Sequence, residues 1–193
     1  MTLSANTRAR SLRLRRATLN DVAILEQWDT DADVIAATTD DEAVERAFGG
    51  LDWREELMRD SDVSFHLIAE VDGRPIGAMQ VCDPCMEPTH YWGDIEANLR
   101  AIDIWIGAEA DRNKGYGGEM MRLAHARCFA DSSVTAIVID PLASNTRAIA
   151  FYHRLGYVTV ARRAFGDDDC IVLKLTRDAW EYGYAVECRT QSG

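Results

Sequence analysis

A glycine-rich turn flanked by cations is the first feature of this sequence that suggests chemistry. Residues Arg112 to Gly118 read "RNKGYGG" and lead directly into a helical pattern that begins at Glu119. Such a turn leaves unpaired backbone N–H groups beside the positive end of the helix dipole, and Arg112 and Lys114 add positive charge. The turn therefore predicts a binding site for an anionic group such as a phosphate. It matches neither G-x-x-x-x-G-K-[ST] nor the G-x-G-x-x-G spacing, so a tight turn without a ligand stays open as an alternative.

A carboxylate within an apolar strand is the second such feature. Asp103 lies between Ile102 and Ile104, where a charged side chain is unusual. The two-residue repeat of a strand places Asp103 and Trp105 on the face opposite Ile102, Ile104 and Ile106. Asp103 is therefore either a solvent-facing strand residue or a functional carboxylate.

The segment from residue 83 to residue 99 is long and irregular, and it contains Pro84, Pro88 and Gly93. Long loops in compact domains are often functional. Tyr91 and Trp92 in this segment either cover the core or form a wall that stacks on a sugar. Acidic residues lie here and in a later turn: Asp94, Glu96, Asp167, Asp168 and Asp169. Most such acids are solvated loop charges, but a ligand with several ammonium groups would use some of them.

Composition limits the classes of function. The formal net charge of -11 argues against nucleic acid as a partner and suits a cationic small molecule. The 47% hydrophobic content is enough for a core, while no apolar run approaches the roughly 20 residues that span a membrane. Residues 1 to 16 are polar and basic without the apolar stretch of a secretory signal. We therefore expect one cytoplasmic domain without a membrane partner, with its core at about 11–180 and a C-terminal tail at 181–193.

The five cysteines favour a reducing compartment with free thiols. Cys82 and Cys85 form a C-x-x-C pair, and His125 and Cys128 lie one helical turn apart. This order and spacing fit no common zinc module, so we predict no metal site.

The pattern of elements predicts a mixed α/β (α+β) fold. An alternating strand at Ser11 to Arg15 precedes a helix that a capping box at Thr18 to Asp21 opens. A hairpin turns at Asp72-Gly73, and a strand from Ala101 to Gly107 comes before the glycine-rich turn and its helix. The remaining strands are predicted at 134–139, 157–164 and 170–175, with a helix that Ser144 or Asn145 caps and Gly156 ends. We expect a central sheet with helices on its faces.

Several of these motifs together resemble one enzyme superfamily. "RNKGYG" fits the pattern [Q/R]-x-x-G-x-[G/A] that marks the GNAT N-acetyltransferases, and it lies between a strand and a helix as it does there. "DPLASNTRAIAFYHRLGY", from Asp140 to Tyr157, resembles the second cofactor element of that superfamily. With "GRPIGAMQ", "YWGD" and "AIDIWIG" in the same order, the sequence is most similar to the aminoglycoside 6′-N-acetyltransferases. The resemblance covers residues 65 to 160 well and the N-terminal third loosely.

The resemblance implies a mostly antiparallel GNAT sheet and acetyl-coenzyme A as cosubstrate. It implies that the strand from Asp103 to Gly107 separates from its neighbour near a bulge and pairs with the pantetheine arm. The implied cofactor contacts are Ile104, Trp105, Ile106, Arg112, Lys114, Gly115, Tyr116, Gly117, Gly118, Asn145 and Tyr152. Among these glycines, we expect Gly117 to take a positive φ beside the pyrophosphate.

The resemblance also implies direct transfer to a primary amine of a cationic small molecule, and most specifically to an aminoglycoside 6′-amine. Tyr152 would protonate the departing thiolate, and Asp103 would orient the amine and receive its proton. The implied acceptor contacts are Gln80, Tyr91, Trp92, Asp94, Asp103 and Asp167.

Two other functions stay open at this stage. A protein or peptide N-terminal acetyltransferase would need a groove for an extended chain, and the acidic segment from Asp83 to Glu96 favours a small cation instead. A non-catalytic coenzyme A-binding protein would not need both Asp103 and Tyr152. The sequence leaves open whether the acceptor is an antibiotic, a polyamine or a metabolite amine, and whether the protein is a monomer or a homodimer.

Overall fold

The computed structural model describes residues 11–190, with side chains through Gly183. The expectation about a secretory signal falls mainly on residues 1–10, and the end of the predicted tail falls on residues 191–193. Both stretches lie outside the described residues.

Seven strands form one sheet in the order β1-β2-β3-β4-β5-β7-β6. They are β1 Leu12–Arg16, β2 Ser64–Val71, β3 Arg74–Cys82, β4 Leu99–Ile106, β5 Ala136–Ile139, β6 Val158–Phe165 and β7 Asp168–Thr176. The β4–β5 pair is parallel, whereas every other neighbouring pair is antiparallel. The predicted mostly antiparallel central sheet is confirmed.

Six α-helices connect or flank these strands. They are α1 Val22–Asp29, α2 Ala32–Thr38, α3 Trp53–Met58, α4 Tyr116–Phe129, α5 Thr146–Arg154 and α6 Arg177–Thr190. None of these described helices is long and apolar enough to cross a membrane.

The last helix corrects the predicted C-terminal tail, because α6 continues through Thr190. The start of this helix is anchored to the body of the protein. The Thr176 hydroxyl accepts a hydrogen bond from the Ala179 N–H, and Trp180 stacks on Phe129 with 4.8 Å between ring centroids. The sequence beyond Glu181 is therefore a continuation of an anchored helix.

Helices pack on both faces of the sheet, as predicted. On one face, α4 and α5 share a core with the central strands through Met120, Met121, Tyr152, Leu67, Met79 and Ile102. On the other face, α1 and α3 build a second core through Leu25, Trp28, Trp53, Ile68 and Trp105. The alternation predicted along β4 is confirmed, because Ile102 and Trp105 belong to opposite cores.

Local turn chemistry explains two of the predicted connections. Asp72 and Gly73 have φ angles of 52° and 84°, the left-handed pair that a tight two-residue hairpin between β2 and β3 requires. Asp21 accepts the Thr18 N–H at 2.8 Å, so the predicted capping box is present. It opens a single 3₁₀ turn from Leu19 to Asp21, and α1 follows directly.

Close packing at the end of β4 gives the fold a specific weak point. A Cβ atom on Gly107 would lie 2.0 Å from Nε1 of Trp28, so the indole packs directly on this backbone. Only glycine allows helix α1 to approach the strand end at this distance.

We predict that Gly107→Ala lowers the free energy of unfolding by about 1–3 kcal/mol, the usual cost of an overpacked core. Chemical denaturation followed by circular dichroism measures the change. Gly183→Ala is the matched control, since no atom lies within 4 Å of that Cβ position and alanine favours a helix interior. Equal stability of Gly107→Ala and the parent would contradict the described packing.

Candidate active site

The separation of β4 from β5 creates the main opening in the sheet. The two strands pair only at Leu99–Ala101 with Ala136–Val138, although β4 continues to Ile106. We call the gap beyond these pairs, between Ile102–Ile106 and the chain after Ile139, the fork. The separation implied by the resemblance is confirmed, but the β3–β4 ladder beside it has no register shift and hence no bulge.

The chain after β5 stays bonded to β7, on the edge opposite β4, as it separates from β4. The Pro141 carbonyl accepts the Ile171 N–H at 2.9 Å, and the Ala143 N–H donates to the Asp169 carbonyl at 2.7 Å. Pro141 also has no N–H to donate to β4. The break that Asp140-Pro141 makes in the sequence therefore becomes the fork in the sheet.

The parity of the β3–β4 ladder decides which backbone groups of β4 face the fork. The Gly107 N–H donates to the Ile76 carbonyl, and antiparallel ladders alternate bonded with non-bonded pairs. Trp105 therefore pairs with β3, while the backbone groups of Ile104 and Ile106 point towards the fork. Of the strand residues predicted to contact the cofactor, Ile104 and Ile106 are suitably placed. Trp105 is not suitably placed, because its backbone pairs with β3 and its side chain lies in the second core.

The glycine-rich turn lies at the open end of the fork. Its left-handed residues are Asn113 (φ 62°) and Gly115 (φ 84°), and Gly115 is the N-cap of α4. Gly117 lies inside the first helical turn without a positive φ, which corrects our expectation for that residue. A Cβ on Gly117 would lie 3.6 Å from Phe151 and 3.9 Å from Ile106, so this residue lies between α5 and β4. Gly118 has open space at its Cβ position.

The two cations of the turn, Arg112 and Lys114, differ in how far other protein groups already occupy their charge. The Arg112 side chain donates to the carbonyls of Ile106 and Gly107 at 3.1 and 2.6 Å and pairs with Asp31 and Asp33. Arg112 therefore stabilises local structure. The prediction was that its charge points at a bound anion, and these bonds do not favour that role. Lys114 is more exposed, with Asp111 at 3.9 Å.

Helix α5 contributes two polar residues beside the turn. Asn145 caps α5 by accepting the Ala148 N–H at 3.0 Å. Of the two predicted caps, Ser144 and Asn145, the structure thus identifies Asn145. Its amide nitrogen is not part of that bond. Arg147 donates to Asn113 at 2.5 Å and thus connects the start of α5 to the turn across the fork. Arg147 was not predicted, because an arginine on a helix has no distinguishing sequence signal.

Two carboxylates lie at the branch of the fork. Asp103 is solvent-exposed on β4 yet enclosed by protein on its other sides, and Asp140 follows the last residue of β5. Although the residue reaches solvent, the protein packed around its carboxyl removes hydration, and this desolvation, followed by the charge of Asp140, raises the pKa of Asp103 to about 7. Burial likewise raises the pKa of Asp140, against a lowering effect of its hydrogen bond from Tyr91. Such a pair favours a cation or a proton between the two groups.

Asp103 continues a row of polar side chains across the sheet. The register pairs His66 with Gln80 and Gln80 with Asp103, so the three share one face. His66 is buried, and its Nδ1 lies 2.8 Å from Asp60. Gln80 donates to the Ser64 hydroxyl at 3.1 Å. Gln80 thus adjoins Asp103, as its predicted role at the acceptor site requires.

Tyr152 lies on α5, near enough to the two carboxylates for their charges to act on its hydroxyl. It is buried in the first core against Phe151 and Tyr157. Burial raises its pKa above the ordinary value, and the charges of Asp103 and Asp140 raise it further. The hydroxyl therefore keeps its proton at neutral pH and is suited to donate it.

The two aromatic residues predicted at the acceptor site separate in the structure. Tyr91 is half exposed, stacks on Phe165 with 4.6 Å between centroids, and donates to Asp140 at 2.7 Å. Trp92 is 4% exposed and packs in a third core under β4, β5 and β7. Trp92 therefore covers the core, whereas the exposure of Tyr91 leaves its role as an acceptor wall a prediction.

The predicted acidic contacts lie at the edges. Asp94 and Asp167 are both exposed, Asp94 in the loop before β4 and Asp167 in the turn between β6 and β7. Their neighbour Asp168 has a defined role, because it accepts the Thr39 hydroxyl at 2.9 Å and the Asp40 N–H at 3.2 Å.

Residues 31–40, which we call the strap, extend from one side of the fork to the other. At one end Asp31 and Asp33 pair with Arg112 beside the end of β4. At the other end Thr39 and Asp40 contact Asp168, and the Ser144 hydroxyl donates to Asp40 at 2.7 Å just before α5. The strap therefore joins both arms of the fork.

The base of the strap is also closed. The Ala47 N–H donates to the Asp29 carbonyl at 2.8 Å. The Asp29 carboxylate, fully buried, accepts Arg46 Nε at 2.8 Å and the Phe48 N–H at 2.9 Å. The chain thus leaves and re-enters the body of the protein at one point.

The structure also brings together residues that sequence reasoning did not select. Asp140 was read only as the residue that ends a strand, yet it faces Asp103. The parallel register of β4 and β5, if continued along both strands, brings Asp103 level with Asp140, but the sequence alone does not reveal that these two strands are neighbours. Glu87, a buried acid in the loop that holds Tyr91, gave no signal among its acidic neighbours.

Comparison with known proteins agrees with this geometry. The family model described as "Acetyltransferase (GNAT) domain" matches residues 17–165. The chain belongs to the GNAT acetyltransferase family. An aminoglycoside N(6′)-acetyltransferase type 1 from Klebsiella pneumoniae is 27% identical over 177 residues, which cover 89% of this chain and 86% of that protein.

Solved GNAT structures are similar over most of the chain. One is the aminoglycoside acetyltransferase AAC(6′)-Ib in complex with coenzyme A and kanamycin, with a TM-score of 0.74 and 25% identity, covering 89% of this chain and 98% of that one. The same enzyme with ribostamycin and coenzyme A gives a TM-score of 0.76 and 27% identity over 89% and 96% of the two chains. The fork of the present GNAT chain is thus embedded in a fold shared along nearly its whole length.

We predict that Asp140→Asn lowers the pKa of Asp103, because it removes the like charge that favours the protonated carboxyl. Carboxyl ¹³C NMR titration measures this pKa, with the signal assigned through Asp103→Asn. Asp62→Asn, at a fully exposed acid, is the control and should leave the titration unchanged. An identical Asp103 titration in Asp140→Asn and the parent would show that the two carboxyls are uncoupled.

Proposed function

We propose that this protein is an acetyl-coenzyme A-dependent N-acetyltransferase that acetylates a cationic small molecule, specifically the 6′-amine of an aminoglycoside. The observation that carries this proposal is the pair of carboxylates, Asp103 and Asp140, at the branch of the fork. We propose that a single domain holds this site. The free cysteines among the described residues fit a location in the reducing cytoplasm.

The residues at the fork fit acetyl-coenzyme A. The amides that follow Gly115 at the start of α4 offer donors for a pyrophosphate, with Lys114 and Arg147 as neighbouring cations. The backbone of Ile104, which faces the fork, can pair with an amide-containing arm as another strand would. The free amide nitrogen of Asn145 is a further donor at the start of α5. Acetyl-coenzyme A supplies the activated acetyl group.

Asp103 is suited to manage the proton of the amine. An amine arrives mostly as ammonium at neutral pH, and only its neutral form can attack. A carboxyl with a pKa near 7 is matched to that task, since it is neither fully protonated nor a very weak base at this pH. Asp140, held by Tyr91, adds attraction for the incoming cation.

Tyr152 is suited to the opposite proton transfer. Its raised pKa keeps the phenol protonated, and its place on α5 beside Asp103 and Asp140 puts a donor on the far side of the fork. A base and an acid from different elements therefore flank the position where transfer occurs.

The strap favours a compact acceptor. It is bonded to Arg112 at one end and to Ser144 at the other, and a segment that joins both arms of the fork leaves less room for an extended chain. This arrangement disfavours the alternative of an extended peptide acceptor. The presence of both Asp103 and Tyr152, each with a raised pKa, disfavours the alternative of a non-catalytic coenzyme A-binding protein.

We predict acetyl-coenzyme A turnover with aminoglycosides that carry a 6′-amine, read as release of the free thiol. An aminoglycoside with a hydroxyl at that position is the matched control and should react slowly or not at all. Polyamines and peptides complete the panel. Faster turnover of peptides, or no turnover with any amine, would overturn the proposal.

We further predict that Asp103→Asn lowers kcat by about 10²- to 10⁴-fold at neutral pH, as loss of a general base does. Partial recovery at higher pH follows, since rising pH supplies neutral amine. The increase in melting temperature that acetyl-coenzyme A produces should persist, which separates the acceptor site from the cofactor site. Unchanged kcat and KM in Asp103→Asn would place the acceptor elsewhere.

A further inference from the structure

Glu87 is a buried acid in a loop whose later acids, Asp94 and Glu96, are exposed. Its exposed fraction is 6%, and it lies between β3 and β4 on the way to Tyr91. Among the residues that the structure describes, no cation forms an ion pair with it. A buried carboxylate without a cation needs several hydrogen bonds to remain charged.

Those hydrogen bonds come from the loop itself. Glu87 accepts the Tyr91 N–H at 2.6 Å, the Thr89 N–H at 2.8 Å and the Thr89 hydroxyl at 2.5 Å. Between these donors, His90 takes a left-handed φ of 52°, which is costly for a residue other than glycine. The carboxylate therefore holds the chain in a conformation that it would otherwise leave.

Tyr91 is fixed at its other end as well. Its hydroxyl donates to Asp140 at 2.7 Å, and one ring face stacks on Phe165. With Phe165 stacked on the ring and Trp92 edge-on to it at 5.9 Å, Tyr91 remains 49% exposed. Glu87 at the backbone and Asp140 at the phenol thus hold a flat aromatic surface beside the carboxylate pair.

We propose that Glu87 is a positioning residue that selects ring-shaped amine acceptors by holding Tyr91 as a wall of the acceptor site. This inference rests on the proposed acetyltransferase function. A flat aromatic surface contacts an amino sugar or aminocyclitol over a broad area, whereas a linear amine contacts the carboxylates through its ammonium group alone. Loss of the wall should therefore affect the two acceptor classes differently.

Glu87→Gln tests the proposal with little change in volume. Glutamine keeps one acceptor oxygen but presents an NH₂ group, which must face either the Thr89 donors or the Tyr91 N–H. Thr89→Val is a milder second variant, because it removes the hydroxyl that donates to Glu87 and accepts the Tyr91 N–H at 3.3 Å but keeps the Glu87 carboxylate. Glu96→Gln is the matched control, because Glu96 is an exposed acid in the same loop that pairs with Lys174.

One measurement reports the position of Tyr91 without any turnover. In protein labelled with ¹³C at tyrosine Cζ, the Tyr91 signal is assigned through Tyr91→Phe. It should shift or broaden in Glu87→Gln, less so in Thr89→Val, and not in Glu96→Gln. An unchanged signal in Glu87→Gln overturns the positioning role.

Kinetics then tests selectivity. In Glu87→Gln, kcat/KM for an aminoglycoside should fall by about 10-fold, the scale of one lost hydrogen bond to a charged group, mainly through KM. The KM for acetyl-coenzyme A and kcat/KM for a linear diamine should stay near parental values. In a Tyr91→Ala background, Glu87→Gln should have no further effect, a result that general destabilisation would not give.

The outcomes separate the two proposals. Equal losses for ring and linear acceptors, or a full further loss in the Tyr91→Ala background, overturn the selective role of Glu87. A parent protein that acetylates no amine overturns the proposed function, while the Tyr91 signal still decides whether Glu87 positions that residue.

Discussion

The parallel pairing of β4 with β5 ends after three residue pairs, and the rest of the site depends on that end. A continuous ladder would use the backbone groups of Ile104 that now face the fork. It would also bring Asp103 and Asp140 into direct register on one face, where like charges are unfavourable. Pro141 has no N–H to donate to β4, while Pro141 and Ala143 keep the chain bonded to β7 on the opposite edge. The opening is thus a one-sided loss of pairing, with the β7 side of the chain still held.

The carboxylate pair stores electrostatic repulsion that a ligand can relieve. The pKa values of Asp103 and Asp140 are both raised, and neither carboxyl has an ion pair within residues 11–183. Buried Glu70 and Asp111, by contrast, each pair with arginine. An incoming ammonium group could neutralise Asp103 and Asp140 as arginine neutralises those two acids. The selection of cations then follows because no cation among the described residues forms an ion pair with either carboxyl of this pair.

Local signals predicted the elements well, whereas contacts between distant segments escaped sequence reasoning. The Asp72-Gly73 hairpin, the Asn145 cap and the alternation around Asp103 each depend on neighbouring residues, and each was predicted correctly. The pairing of Arg112 with the strap and the burial of Trp92 depend on segments that meet only in the folded chain. Asp140 belongs to the same class, because its role requires knowing which strand lies beside which. The continuation of α6 beyond residue 181 was not predicted, because the anchoring of Trp180 on Phe129 is likewise non-local.

The closed base of the strap makes the acceptor side of this protein exchangeable. The chain departs and returns at Asp29 and Ala47, so residues between them could change in length while both attachment points stay fixed. The entropic cost of lengthening such a loop grows only with the logarithm of its size. The cofactor side has no such freedom, since β4, α4 and α5 all belong to the main core. Descendants of this sequence can therefore diverge in what they acetylate while the machinery that delivers the acetyl group stays constant.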